Sequence, residues 1–249
     1  ILPNLLTVFW AQSIAHQAVI TKKMTNQFEE KIKIKFKDPK LLQTVFIHRS
    51  YLNENKNYAL PQNERLEFLG DAVLEFIVTD YLYKKFDDPE GEMTNWRAAL
   101  VRGEMLSKIA NRLKMGDLMM LSRGEAKTGG RERKVLLANA FEALIGAIYL
   151  DRGIAVTRKF INQNLISHLD EIIKKGLYQD AKSVLQEKSQ DELGITPTYE
   201  VIGESGPDHA KKFVIGVYIG EKLVGKGEGN SKQEGQQEAA EKALLSYQR

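Results

Sequence analysis

Apolar residues recur at helical spacing through the first two thirds of the chain, and residues 64–85, ERLEFLGDAVLEFIVTDYLYKK, give the clearest case. Leu66, Leu69, Val73 and the pair Phe76-Ile77 predict one helix with a buried stripe, ending near Asp87-Asp88-Pro89. Glu64, Glu67 and Asp71 fall at i, i+3 and i+7, so they share a second face. Like charges so placed repel by a few tenths of a kcal/mol per adjacent pair. Residues 137–151, LANAFEALIGAIYLD, predict another helix that is far more apolar, yet it carries Asn139 and Glu142 at i and i+3. A carboxylate in so apolar a helix needs a partner, because burying an unpaired charge is costly. The plain alternative for the first three acids is a solvated face. A divalent cation held between the two helices accounts for both stretches at once.

The remaining pattern divides the chain. Residues 25–58 contain FEEKIKIKF and LLQTVFIHRSYLNEN, with helical spacing in the second piece; His48 there reads as a structural hydrogen-bonding histidine, since no second histidine stands nearby. Pro89 and Gly91 mark a loop, after which a helix is expected from an N-cap at Thr94 to Leu113, with Gly116 as its stop. Residues 122–134, SRGEAKTGGRERK, combine Arg123, Lys127, Arg131, Arg133 and Lys134 with three glycines, which predicts a flexible basic strap able to touch phosphates. The helix over 137–151 should end at Asp151-Arg152-Gly153, and one further helix over about 155–175 should close the domain. Residues 176–180 read as a short linker.

Beyond it the period changes from helix to strand. Residues 181–188 predict a helix, and 198–202, 212–219 and 222–228 predict three strands split by Gly and Pro turns. A last helix runs from Ser231 to Tyr247, with Ser231 as N-cap and Glu234 completing a capping box. The fold class is therefore two domains, an all-α one followed by a small α+β one of order α-β-β-β-α.

Composition narrows the class. The 249 residues include 43% hydrophobic residues, enough for a real core, and no cysteine, which excludes disulfides and thiolate metal sites and fits a reducing cytoplasm. No apolar run reaches the roughly 18 residues of a membrane span, so no membrane partner is expected. The net charge of +3 is unevenly spread. Residues 1–176 hold 27 Lys and Arg against 21 Asp and Glu, or +6; residues 177–249 hold 9 against 12, or −3. A polyanion bound by the C-terminal part must meet a local basic patch. Residues 1–23 superficially resemble a signal peptide but lack a basic n-region, and Met24 opens an ordinary-looking start; the extension reads as non-native or nonessential.

Two motifs carry a family resemblance. ERLEFLGDAVL closely resembles the signature of bacterial ribonuclease III, and LLANAFEALIGAIYLD is similar to that family's second metal-binding helix. The C-terminal pattern, with GPDHAKKF and GKGEGNSKQEGQQEAAEKAL, resembles a double-stranded-RNA-binding domain. The resemblance runs from about Phe28 to the C-terminus. It implies an endonuclease domain over 24–176 and an RNA-binding domain over 177–249. The implied activity is Mg²⁺-dependent cleavage of double-stranded RNA into 5′-phosphate and 3′-hydroxyl ends, in ribosomal-precursor and mRNA processing. Glu67, Asp71, Asn139 and Glu142 would surround the metal, with Asp71 and Glu142 catalytic; Mn²⁺ could substitute. The nuclease domain would form a homodimer, with Phe68 and Glu64 at the contact. Gln186, His209 and Lys232 would touch RNA, joined by Arg123 and Arg131 of the basic segment.

The sequence departs from the family pattern at three places. Asn139 stands where the family mostly has Asp, which opens a competing reading: a cleavage-impaired RNA binder. Gln233 replaces a second Lys, and Gly235 replaces Ala inside a helix at a cost of about 0.5–1 kcal/mol.

Overall fold

The computed structural model describes residues 25–174, 176, 181–207 and 211–247. The extension 1–23, most of the linker 176–180 and His209 lie outside the described residues. The chain divides into two compact units, with the cut between Leu177 and Tyr178.

The first unit is helical. Residues 25–32 form α1, followed by α2 (Pro39–Val45), α3 (Arg49–Glu54), α4 (Glu64–Lys85), α5 (Glu90–Val101), α6 (Gly103–Arg112), α7 (Arg123–Lys127), α8 (Lys134–Asn164) and α9 (Leu169–Lys174). Helix α8 is its axis: Ala140, Phe141, Ala143, Leu144, Ile145, Ala147 and Ile148 are all fully buried. Helix α4 packs along it. The crossing is set by two glycines: a Cβ on Gly70 would lie 1.8 Å from the Glu142 carbonyl oxygen, and one on Gly146 would lie 2.3 Å from that of Leu66. No side chain fits between the two backbones there.

That crossing shifts the stripe expected on α4. Leu66, Val73 and Ile77 are buried, but the line passes through Gly70, Leu74 and Val78, and Leu69 is only half-buried. Phe76 is a correction: it is 58% exposed and lies off the buried face. Three helix boundaries also differ from expectation. Helix α5 begins at Glu90, so Thr94 is inside it and caps nothing. Arg102 breaks the run with an extended backbone, which lets α5 bury Trp96 and Leu100 while α6 buries Met105, Leu106 and Ile109. Gly116 is not the helix stop; Lys114 takes the left-handed conformation, and Gly116 packs against the Arg131 carbonyl.

The break at Gly153 is present, with φ 75°, but one closing helix over 155–175 is not. The chain is helical again to Asn164, makes a 3₁₀ turn at Ile166–His168, and ends in α9.

The second unit holds α10 (Ala181–Leu193), β1 (Thr198–Ser205), β2 (Lys212–Ile219), β3 (Lys222–Gly229) and α11 (Lys232–Tyr247). The strands form an antiparallel sheet in the order β1-β2-β3. Alternate residues of β2 (Ile215, Val217 and Ile219) point into a core shared with Ala181, Leu185, Ala239, Ala240 and Ala243. Ser231 caps α11, accepting from the Glu234 N–H at 3.1 Å, while the Glu234 carboxylate accepts from the Asn230 N–H, one residue earlier than a standard box. Gly235 is not merely a weak helix former: a Cβ there would lie 2.6 Å from Ile215 Cγ1. Its backbone freedom is exchanged for a close helix–sheet approach.

Candidate metal centre and nucleic-acid interface

The crossing at Gly70 and Gly146 brings the first turns of α4 against the middle of α8. Glu67 and Asp71 flank Gly70 on one side, and Asn139 and Glu142 face them from α8. Burial, then repulsion from Asp71 and from Glu67, pushes the Glu142 carboxyl up to about 7. Glu67 is also raised, by burial first and then by Glu64 and Asp71, while a hydrogen bond from Asn139 pulls it back down. Glu64 is partly neutralised: Arg49 stands 3.7 Å away and Gln62 Nε2 donates to it at 2.9 Å. Among the described residues no lysine or arginine pairs with Glu67, Asp71 or Glu142.

The donor set is all oxygen, strongly negative and short of a counter-charge, which suits a hard divalent cation. Among the described residues, no three His, Asp or Glu side chains are already gathered closely enough to hold an ion. Mg²⁺ needs only one or two protein carboxylates and keeps several waters, so it does not require three of them to converge.

The other expected site residues fall as follows. Phe68 is 82% exposed on α4, and Phe76 and Tyr83, at 58% and 76%, lie eight and fifteen residues further on the same face. Sequence reading missed those two, although spacings of 8 and 7 are the helical signal for a shared face. His48 caps α3, its Nδ1 accepting from the Ser50 N–H at 3.3 Å.

The basic segment 122–134 is not a free strap. It folds into α7 and a 3₁₀ turn, with Arg133 paired to Glu125. Arg131 donates to the carbonyls of Gly116 at 2.9 Å and Asp117 at 3.2 Å. The Arg123 side chain is exposed, and its backbone N–H is held by Glu54. Glycine and charge content suggested mobility; tertiary bonds to carbonyls and carboxylates, invisible in composition, remove it. In the second unit Gln186 is exposed on α10, and Lys232 opens α11 with its ammonium 5.9 Å from the Phe213 ring. Lys211, not expected from sequence, lies at the same distance from that ring.

A helical unit with a carboxylate crossing, joined to an α-β-β-β-α unit, is the architecture of a nuclease that carries its own RNA-binding module. Comparison with known proteins agrees over nearly the whole chain. The Ribonuclease-III-like family model matches residues 38–169, and the double-stranded RNA binding motif matches 181–247. A protein named Ribonuclease 3 from Desulforamulus reducens is 44% identical over 220 residues, covering 88% of this chain and 89% of that one. Another, from Oceanobacillus iheyensis, is 46% identical over 222 residues, covering 88% and 96%. The solved nuclease domain of ribonuclease III from Campylobacter jejuni, described for flexibility in a region involved in dimer formation, is 40% identical. It has a TM-score of 0.50 and covers 55% of this chain and 95% of its own. The chain belongs to the ribonuclease III family and is a double-stranded-RNA endoribonuclease. No helix among the described residues is long and apolar enough to cross a membrane.

Proposed function

We propose that this protein cleaves double-stranded RNA by Mg²⁺-dependent hydrolysis, leaving 5′-phosphate and 3′-hydroxyl ends. The observation that carries the reading is the Glu67–Asp71–Asn139–Glu142 group at a glycine-lined helix crossing, with no lysine or arginine paired to its three carboxylates among the described residues. Those four side chains would hold the ion. When bound, Mg²⁺ supplies activation of a water nucleophile and stabilisation of the leaving 3′-oxygen. In the metal-free protein Glu142 keeps a proton on its carboxyl up to about pH 7, and Asn139 donates to Glu67. Asp71, exposed at the mouth of the group, is the carboxylate most open to an arriving substrate. The second unit holds the duplex: the α11 N-terminus with Lys232, and Gln186 on α10, read A-form shape and phosphates over roughly 16 base pairs. Incubating duplex and single-stranded RNA with and without Mg²⁺ tests the proposal. Cutting of the duplex alone, with Mg²⁺ alone, is expected; metal-independent cutting would remove the role given to the acidic group.

We place the homodimer contact on the exposed face of α4. Phe68→Asp should yield monomers, because a charge in an apolar contact is costly to bury. Sedimentation of the variant as an unchanged dimer would move the contact elsewhere.

Asn139→Asp tests the departure at the site. The substitution removes the amide donor to Glu67 and adds a fourth negative charge. The Mg²⁺ concentration for half-maximal cleavage should fall, by roughly tenfold if about 1.4 kcal/mol is gained. The melting temperature in chelator should drop. An unchanged Mg²⁺ requirement would show that residue 139 does not face the ion.

A further inference from the structure

A second charged feature lies on the first unit, away from the acidic group. The last residue of α1, the segment just after it and the stretch of α8 on both sides of Gly153 line a half-open cavity of about 400 Å³. Every charged side chain lining it is a cation: Lys33, Lys35, Arg152 and Lys159. Its floor is apolar, with Ile32, Ile34 and Phe160 buried beneath. Val156 in this cavity is fourteen residues from Glu142 along the chain, on the other side of the break at Gly153.

The walls are clamped together. Asp151 accepts from the backbone N–H groups of Lys37 and Asp38, both at 2.8 Å, and the Arg152 guanidinium donates to the Lys35 carbonyl. The acid behind the wall, Glu29, is already committed to the Phe36 N–H at 2.9 Å and Lys35 Nζ at 3.2 Å. The cavity is thus preformed and net positive.

Lys33 supplies an independent observation. It ends α1 in the left-handed region, with φ 57°, where the Lys33 and Ile34 N–H groups close the helix onto Glu30 and Glu29. That closing turn favours glycine, and a lysine there is strained. Its exposed side chain instead lines the cavity.

We propose that this cavity is an anion site that takes a phosphate group. Two sources carry that chemistry: a free nucleotide, whose size suits a cavity of this volume, or a backbone phosphate of RNA held by the same protein. Lys33 and Lys159 are the cations free to turn toward it, and Arg152 is the fixed one.

Thermal melts of the full chain in chelator, with AMP and with inorganic phosphate, test the site apart from any metal. The melting temperature of the wild type should rise with ligand concentration. Lys33→Gly should melt higher than wild type without ligand, because the strained turn is relieved, yet lose at least two thirds of the ligand-dependent rise. A purely structural lysine would not give that opposition. Lys159→Gln should lose the rise with an unchanged ligand-free melt. If the source is RNA, the AMP rise is absent, and the variant carrying both changes shows a salt dependence of duplex binding shallower by about two phosphate contacts. A ligand-dependent rise that survives both substitutions, or no rise together with an unchanged salt slope, overturns the proposal.

Discussion

Glu142→Gln is expected to reduce duplex cleavage at least 100-fold while changing RNA affinity less than about twofold, an effect of some 2.7 kcal/mol or more on the reaction alone. The side chain sits at the helix crossing, not on the RNA-binding unit, so no phosphate contact is lost. What is lost is a carboxylate whose pKa is raised to about 7 by burial and by Asp71 and Glu67. The same substitution should stabilise the metal-free protein. A carboxyl held near 7 when folded, against 4.5 as its ordinary value, binds its proton more tightly in the folded state. Its contribution to stability is full below about pH 4.5 and is lost as pH rises through 7. Glutamine mimics the protonated form at every pH. In chelator, the variant should match the wild type near pH 4 and exceed it at pH 8, by about 1–2 kcal/mol after allowing for partial solvent access. Full cleavage by the variant, or equal melts at pH 8, would remove Glu142 from the site.

Gly70→Ala should be the most damaging single methyl in the nuclease unit. The added carbon would lie 1.8 Å from a backbone oxygen, 2.6 Å from its carbon and 2.9 Å from the Gly146 nitrogen. None of these atoms can rotate away, so α4 and α8 must separate. Overpacking of this kind costs about 3 kcal/mol or more, a fall of roughly 6–12 °C for a domain of this size. Any folded remainder should cut poorly, because Glu67 and Asp71 move away from Asn139 and Glu142. Gly91→Ala is the control: its Cβ meets nothing within 4 Å, in the first turn of α5, and should be neutral or slightly stabilising. Equal melting of both variants with wild type would mean that the crossing is not tight.

The change from helical to strand period was legible, since α4, α8 and all three strands carry strong patterns, whereas the division of α5 from α6, helix α7 and the separate α9 were not. The pairing of α4 with α8 was legible too, because a carboxylate within an apolar helix demanded a partner. The crossing itself was not legible. By propensity Gly70 and Gly146 are weak helix residues, and only the facing backbone turns them into requirements. Phe76 fitted the buried stripe by spacing, but the stripe is steered through Gly70 by α8, which leaves Phe76 outside with Phe68 and Tyr83. The break at Arg102 falls where Gly103, a weak helix former, follows it, and the two helices bury different faces on either side. Arg131 was legible as a cation but not as a tether, because its bonds to Gly116 and Asp117 are tertiary.

Metal binding itself is the most direct test of the central claim, that one cation joins α4 to α8. Chelator-stripped protein would be titrated with Mn²⁺, and the free ion followed by its electron spin resonance signal. Saturable binding is expected in the wild type, weakened at least tenfold by Asp71→Asn on one helix and also by Glu142→Gln on the other. Equal affinity in the wild type and both variants would contradict it.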